Sequence, residues 1–235
     1  MRARGRTRQF LAAGAALLGV LVFTALGVWQ LQRREWKLEL IDRVAGYLSG
    51  TPTAAPGPYL WPLIGAVDEY RRVRVTGRYL NDEETLVQAL TERGAGYWVM
   101  TPLLAKGGFT VLVNRGFVPA DRNTAASRSA GMVMGDTTVS GLLRLSEPHG
   151  GFLHVNQPAA GRWYSRDVPA MAASLQLHNV APYFIDADAA ANAGGFPVGG
   201  LTVVSFRNQH LQYALTWFSL AILSVVGAMV VARQG

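Results

Sequence analysis

Cysteine is absent from all 235 residues. That excludes a disulfide framework, thiolate metal sites and thiol redox chemistry, so any folded domain must hold together by its own core. The signatures of common enzyme chemistries are missing as well: there is no G-x-S-x-G, Walker loop, G-x-G-x-x-G or H-E-x-x-H. Ser165, Asp167 and His178 could be drawn as a triad, but a helix-capping Asp and exposed polar residues account for them. The expectation is a protein that is not an enzyme.

Charge is absent from two long blocks, "FLAAGAALLGVLVFTALGVWQLQ" (Phe10–Gln32) and "LQYALTWFSLAILSVVGAMVVA" (Leu211–Ala232). Each can cross a hydrocarbon core of about 30 Å as a helix rising about 1.5 Å per residue. The basic start "MRARGRTR" resembles a signal peptide. However, the apolar run exceeds an h-region of roughly 7–15 residues, and "QRREWK" follows it in place of a small-residue cleavage site, which favours an anchor. No long Arg- and Ser-rich presequence precedes the run, so a bacterial membrane protein is expected.

The net charge of +7 raises the question of nucleic acid, and the positions of the charges answer it. Arg2, Arg4, Arg6, Arg8 and Arg233 lie in the short tails, leaving 17 basic against 15 acidic residues between Gln32 and Ala232. Basic tails beside spans read as cytoplasmic anchors. The expected organisation is a cytoplasmic tail over 1–9, a transmembrane helix over 10–32, an extracytoplasmic β-rich domain over 33–207, a second transmembrane helix over 208–232 and a cytoplasmic tail over 233–235. That places the chain in the bacterial inner membrane as a multi-pass protein in contact with lipid, its central domain periplasmic and without a nucleic-acid partner.

Between the blocks, "REWKLELIDRVAGYL" keeps helical period and predicts that the first helix continues beyond the membrane. The Pro- and Gly-rich "SGTPTAAPGPYLWP" ends it. From Tyr70 onward, short runs rich in β-branched and aromatic residues predict strands: "RRVRVTGRYL", "ETLVQAL", "YWVMTPLL", "FTVLVNRGF", "TTVSGLLRL", "GFLHV", "PYFIDA" and "LTVVSF". Their close spacing predicts an antiparallel, barrel-like sheet within an α+β domain. One helix is expected at "SRDVPAMAASLQ", capped by Asp167.

Two constellations carry chemistry. Met132 and Met134 form an M-x-M pair able to hold Cu(I) through thioethers, and equally able to be packing residues. His149, His154 and His178 are scattered and read as ordinary surface or core imidazoles. His210 is set apart by its neighbours: His210, Tyr213, Ala214, Trp217, Ala221, Ser224 and Ala228 form one helical stripe, aromatic at the water end and small toward the middle. The first span offers Ala12, Ala16, Gly19, Phe23, Gly27 and Gln30. Small residues permit close helix approach, so the two stripes should pack with Gln30 near His210, and Gly19 and Gly27 should face Ala221 and Ala214. Two readings stay open. Trp29, His210, Tyr213 and Trp217 form an interfacial aromatic belt, or the His210 Nε2 ligates haem iron, with Trp217 and Tyr213 flanking the macrocycle and Arg33, Arg34 or Arg207 meeting its propionates.

"LGVWQLQRREWKLELI", "YRRVRVTGRYL", "YWVMTPLL", "VLVNRGFVP", "PYFIDAD" and "NQHLQYALTWF", in that order and over nearly the whole chain, resemble the surfeit locus protein 1 family. The resemblance implies a bacterial member of a family of two-span factors that assist assembly of haem-copper cytochrome c oxidase. It further implies binding of haem a through His210 and delivery to oxidase subunit I, with haem a synthase as a second partner. The alternative is a cofactor-free scaffold that stabilises an oxidase assembly intermediate. Phe117 stands where the family pattern carries Trp, which weakens any specific role for that ring.

Overall fold

The computed structural model describes residues 2–150, 154–202, 204, 206 and 208–233, with the side chains of residues 2–9 outside that description. The chain divides into two compact units, residues 1–43 with 204–235, and residues 44–203.

The first unit is built on two helices. Helix α1 (Arg2–Ser49) runs unbroken for 48 residues, and helix α3 (His210–Arg233) for 24. Their apolar segments reach mean hydropathies of 2.3 and 2.2, so each is long and apolar enough to cross a membrane. Past Gln32 the helix continues because "REWKLELIDRVA" contains neither Gly nor Pro. It stops at Ser49, just before Gly50 and Pro52.

The second unit is a closed barrel. Strands β1 (Thr53–Ala54), β2 (Arg72–Tyr79), β3 (Thr85–Thr91), β4 (Gly94–Ala105), β5 (Thr110–Pro119), β6 (Asp136–Leu145) and β7 (Val180–Ala187) pair in the order β1-β2-β6-β7-β5-β4-β3, and a further β2–β4 pairing closes the ring. Five strands form the ring, β2-β6-β7-β5-β4, the arrangement of a small OB-type Greek-key barrel. Closure takes place at Gly77, which faces Thr137 on β6 and Ala105 on β4. A Cβ there would stand 2.3 Å from the Leu104 carbonyl oxygen, so only glycine fits the corner.

The sheet departs from the purely antiparallel expectation at two places, β1 on β2 and β5 on β7, which pair in parallel. A parallel pair needs a crossover connection, and residues 120–179, carrying β6 and helix α2 (Val168–Ser174), supply it between β5 and β7. Two expected strands do not appear among the described residues. In "LTVVSF" the described residues Leu201, Thr202, Val204 and Phe206 have no strand pairing, and Thr202 instead turns its hydroxyl to Asp186. In "GFLHV" residues 151–153 lie outside the described residues, and His154 and Val155 are irregular and exposed.

Alternation along the strands makes two cores. Val73, Val75, Tyr79, Val111, Val113, Val139, Tyr183 and Ile185 fill the barrel. Leu112 and Phe184, on the opposite face of β5 and β7, pack with Met100, Trp163, Val168 and Met171. Helix α2 closes that outer core and starts as expected: the Asp167 carboxylate accepts from Ala170 N at 3.2 Å.

Candidate functional site

The small-residue stripe of α1 is the packed face of the helix. Ala12, Ala16, Gly19, Phe23 and Gln30 are half-buried and Gly27 is buried, while Leu11, Leu17, Leu18, Leu21 and Val22 point outward. On α3, Ala214 is 1% exposed and Ala221 is 7% exposed. The helices meet through small residues because lipid tails supply no hydrophobic drive between apolar surfaces, and packing needs close backbones. The register differs in detail from the expected glycine–alanine pairing. Gly27 lies against the Phe218 ring, where an added Cβ would come within 2.5 Å of a ring carbon, and Gly19 lies against Ser224, where an added Cβ would stand 3.1 Å from the hydroxyl oxygen.

At one end of this face His210 Nδ1 lies 2.8 Å from Gln30 Oε1. An amide oxygen only accepts, so Nδ1 carries the proton and the Nε2 lone pair is left for a metal or a donor. About two helical turns along, Trp217 stacks on Phe23, with ring centroids 5.8 Å apart and planes inclined by 21°. The Trp217 indole N–H is buried and has no hydrogen-bond partner among the described residues. The structure thus makes two polar or aromatic contacts between the stripes, His210 with Gln30 and Trp217 with Phe23.

The other expected site residues stand apart from this cluster. Tyr213 and Trp29 are each 53% exposed, off the packed face. A position three residues after His210 turns about 300° around the helix, which leaves Tyr213 on the flank. The Arg33 guanidinium sits 4.0 Å above the Trp36 ring in its own helix. Arg207 lies outside the described residues. Lys37, which sequence reasoning left out, holds its ammonium 5.0 Å over the Phe206 ring, at the same end of the chain pair as His210.

The alternative sites outside the helices have ordinary structural roles. Ser165 donates to the Glu147 carbonyl at 2.7 Å, Asp167 caps α2, and His178 is exposed, so the three make no triad. Met134 is exposed and its sulfur accepts from Asn81 Nδ2 at 3.7 Å. Among the described residues, no three His, Cys, Asp or Glu side chains converge as metal ligands. Phe117 is 1% exposed and packs edge-on against Trp98, a core role that needs no specific ring chemistry.

The strongest polar cluster of the barrel was not foreseen. Asp186, 3% exposed on the outer face of β7, accepts from Asn114 Nδ2 (2.8 Å), Arg144 Nη1 (3.0 Å), Arg166 Nη1 (3.2 Å) and the Thr202 hydroxyl (2.9 Å). Glu69 and Glu147 complete the guanidinium contacts at 3.1 and 3.0 Å. Burial opposes the charge on Arg144, but Asp186 and Glu69 outweigh it and lift its pKa above the ordinary value. Burial likewise works to raise the Glu147 pKa, but Arg166, through hydrogen bonds and charge, holds it below the usual carboxylate range. The signal in sequence was the parity of "NRGF", "LLRL" and "PYFIDA", which puts Asn114, Arg144 and Asp186 on one sheet face.

Two apolar helices, a closed barrel between them in sequence, and a polar pair at the mouth of the helix face define a membrane-anchored barrel protein. The chain matches the SURF1 family over residues 17–222 and belongs to it. It is 38% identical over 234 residues to a SURF1-like protein of Monosiga brevicollis, covering 94% of this chain and 87% of the relative. It is similar to Surfeit locus protein 1 of Mus musculus, 36% identical over 211 residues, with 83% of this chain and 67% of the relative covered. To the protein of that name from Homo sapiens it is 35% identical over 232 residues, with 91% and 74% covered.

Proposed function

We propose that this chain is a non-catalytic assembly factor for haem-copper cytochrome c oxidase, which holds haem a at the end of its helix pair and passes it to oxidase subunit I, with haem a synthase as the donor. The observation that carries the reading is the His210–Gln30 contact. A histidine that ligates a metal has its second ring nitrogen fixed by an acceptor, which sets the tautomer and orients the ring. Gln30 does this for Nδ1 and leaves Nε2 available. The unpartnered Trp217 N–H is a second group that a polar ligand edge would satisfy.

Phe218 and Ala214 close the face between the helices. His210 and the exposed Tyr213 would hold a haem on the outer flank of the pair, where Arg33, Lys37 or Arg207 would supply cations for its propionates. The basic tails support a topology with both termini in the cytoplasm and the barrel outside it, in a bacterial inner membrane. The same closed face favours a second reading, a cofactor-free scaffold that recognises an oxidase intermediate through the barrel, with the aromatic residues as an interfacial belt.

The visible spectrum of the detergent-purified protein, made in cells with and without haem a synthesis, separates the two. His210→Ala should abolish or shift the Soret and α bands while the protein stays inserted, and Gln30→Leu should weaken haem retention by roughly 10–100-fold. His149→Ala, His154→Ala and His178→Ala should leave the pigment unchanged. Full, unshifted haem a in His210→Ala would remove this residue as ligand and leave the scaffold.

A further inference from the structure

Arg115 lies on β5 with the same parity as Val111 and Val113, whose side chains fill the barrel. It is 3% exposed. Its Nη2 donates to the Gly131 carbonyl, and its guanidinium sits 4.8 Å from the Tyr79 ring centroid. Among the described residues, no carboxylate lies within ion-pair distance of it. The nearby carboxylate, Glu84, is taken in a two-pronged pair by Arg128. A guanidinium buried without a counter-ion is costly by several kcal/mol. Burial pushes the Arg115 pKa down, and the Arg128 charge adds to this against the opposing effects of Tyr79 and Glu84.

The barrel also has space beside this cation. Strand β7 ends at Ala187, and the residues of β5 and β6 beyond that point have no strand between them. The chain from Ala187 to Asn192 covers the gap and leaves a cavity of about 180 Å³, lined by Arg115, Tyr79, Thr137, Ser140 and Asp188. Asp188 is already ion-paired with Arg72. At about 30 Å³ per water the cavity has room for a carboxylate on a short carbon stem.

We propose that this cavity is a carboxylate-binding site, with the Arg115 guanidinium as counter-charge and the Thr137 hydroxyl, on the barrel-facing side of β6 with Val139, as a neighbouring donor. A planar fork of N–H groups matches a carboxylate in two-pronged geometry, and charge-assisted hydrogen bonds inside a barrel are stronger than at a surface. The site is independent of the helix pair and of any haem. Its carboxylate comes either from a small free acid or from an acidic side chain of a polypeptide reaching into the gap.

The test is the thermal unfolding of the full chain in detergent, titrated with acetate, with acetamide as the neutral isostere and with a short amidated peptide carrying one Glu, all at matched ionic strength. Saturable stabilisation by acetate and none by acetamide is expected. A response to the peptide as well assigns the site to polypeptide side chains, and its absence assigns it to small acids. Arg115→Gln should abolish the acetate response. Where that variant does not fold, Thr137→Val decides, because it removes the inward-facing hydroxyl at equal volume and leaves the cation in place. It should weaken apparent acetate affinity by about tenfold or more. No acetate-specific stabilisation of the wild-type chain, or an unchanged response in Thr137→Val, overturns the proposal.

Discussion

Among the described residues, one side-chain hydrogen bond joins α1 to α3, from His210 to Gln30, whereas in the barrel a single carboxylate, Asp186, accepts from Asn114, Arg144, Arg166 and Thr202. The helix pair buries little polarity and leaves part of it open: among the described residues, the His210 Nε2 and the Trp217 indole N–H have no partner. The barrel's outer face buries much more and satisfies it. A saturated network has no free valence for a ligand and acts as structure, while a sparse one with open donors and acceptors in a low-dielectric setting is poised to take something up. The polar residues that matter for binding are, on this comparison, the few that are left incomplete.

The comparison breaks most severely at Asp186. Asp186→Ala leaves Arg144 and Arg166 buried without their shared counter-charge, and removal of one partner from a buried pair costs about 3–5 kcal/mol. The variant should lose most of the barrel's unfolding transition in thermal or denaturant melts while the helices stay in the membrane fraction. Retention of the wild-type midpoint would show that the network carries little.

A smaller effect is expected where the helices touch. A Cβ at Gly19 would stand 3.6 Å from the Ser224 Cβ, within the span of a disulfide, and the chain has no other thiol. Gly19→Cys with Ser224→Cys should therefore crosslink readily on oxidation. Adding Gly27→Leu, which drives a side chain into Phe218, should cost roughly 1–3 kcal/mol of packing and slow that crosslink sharply. Equal crosslinking with and without Gly27→Leu would contradict the packed face.

The smallest effect is on pH. Because the folded pKa of Glu147 is depressed, its contribution is fully present above the unfolded value near 4.5 and is lost as pH falls through the folded value. Glu147→Gln should lower the melting midpoint near neutral pH and flatten the acid limb below about pH 4.5. An unchanged acid limb would place the titrating carboxylates elsewhere.

The sequence made the helix face legible because two stripes of small residues at a period of 3.6 leave few ways to pack. Gln30 and His210 could be placed together from that alone. The flank position of Tyr213 was less visible, since a stripe drawn at i and i+3 spreads over more of the helix than the contact covers. Six of the expected strands appeared where alternation and turn residues marked them. Val204 and Phe206 kept the composition of a strand without its pairing, a tertiary outcome that local pattern does not encode. The Asp186 network was hidden for a similar reason. Parity puts Asn114, Arg144 and Asp186 on one face, but Arg166 arrives from the loop before α2, and only the closed fold brings it there.

The position of β7 has a consequence for the order of events when the chain is made. The strands β2 to β6 emerge first, yet in the finished ring β6 and β5 never touch along their length, because β7 stands between them. Until residues 180–187 leave the ribosome, the sheet is an open ribbon with β5 and β6 as two bare edges. Such edges invite pairing with other chains, and contacts between residues 110–114 and 180–186 are distant in sequence and slow to form. The barrel is sealed by its last strand, so a chain truncated or stalled before that point carries nearly all of the sheet and an unclosed ring.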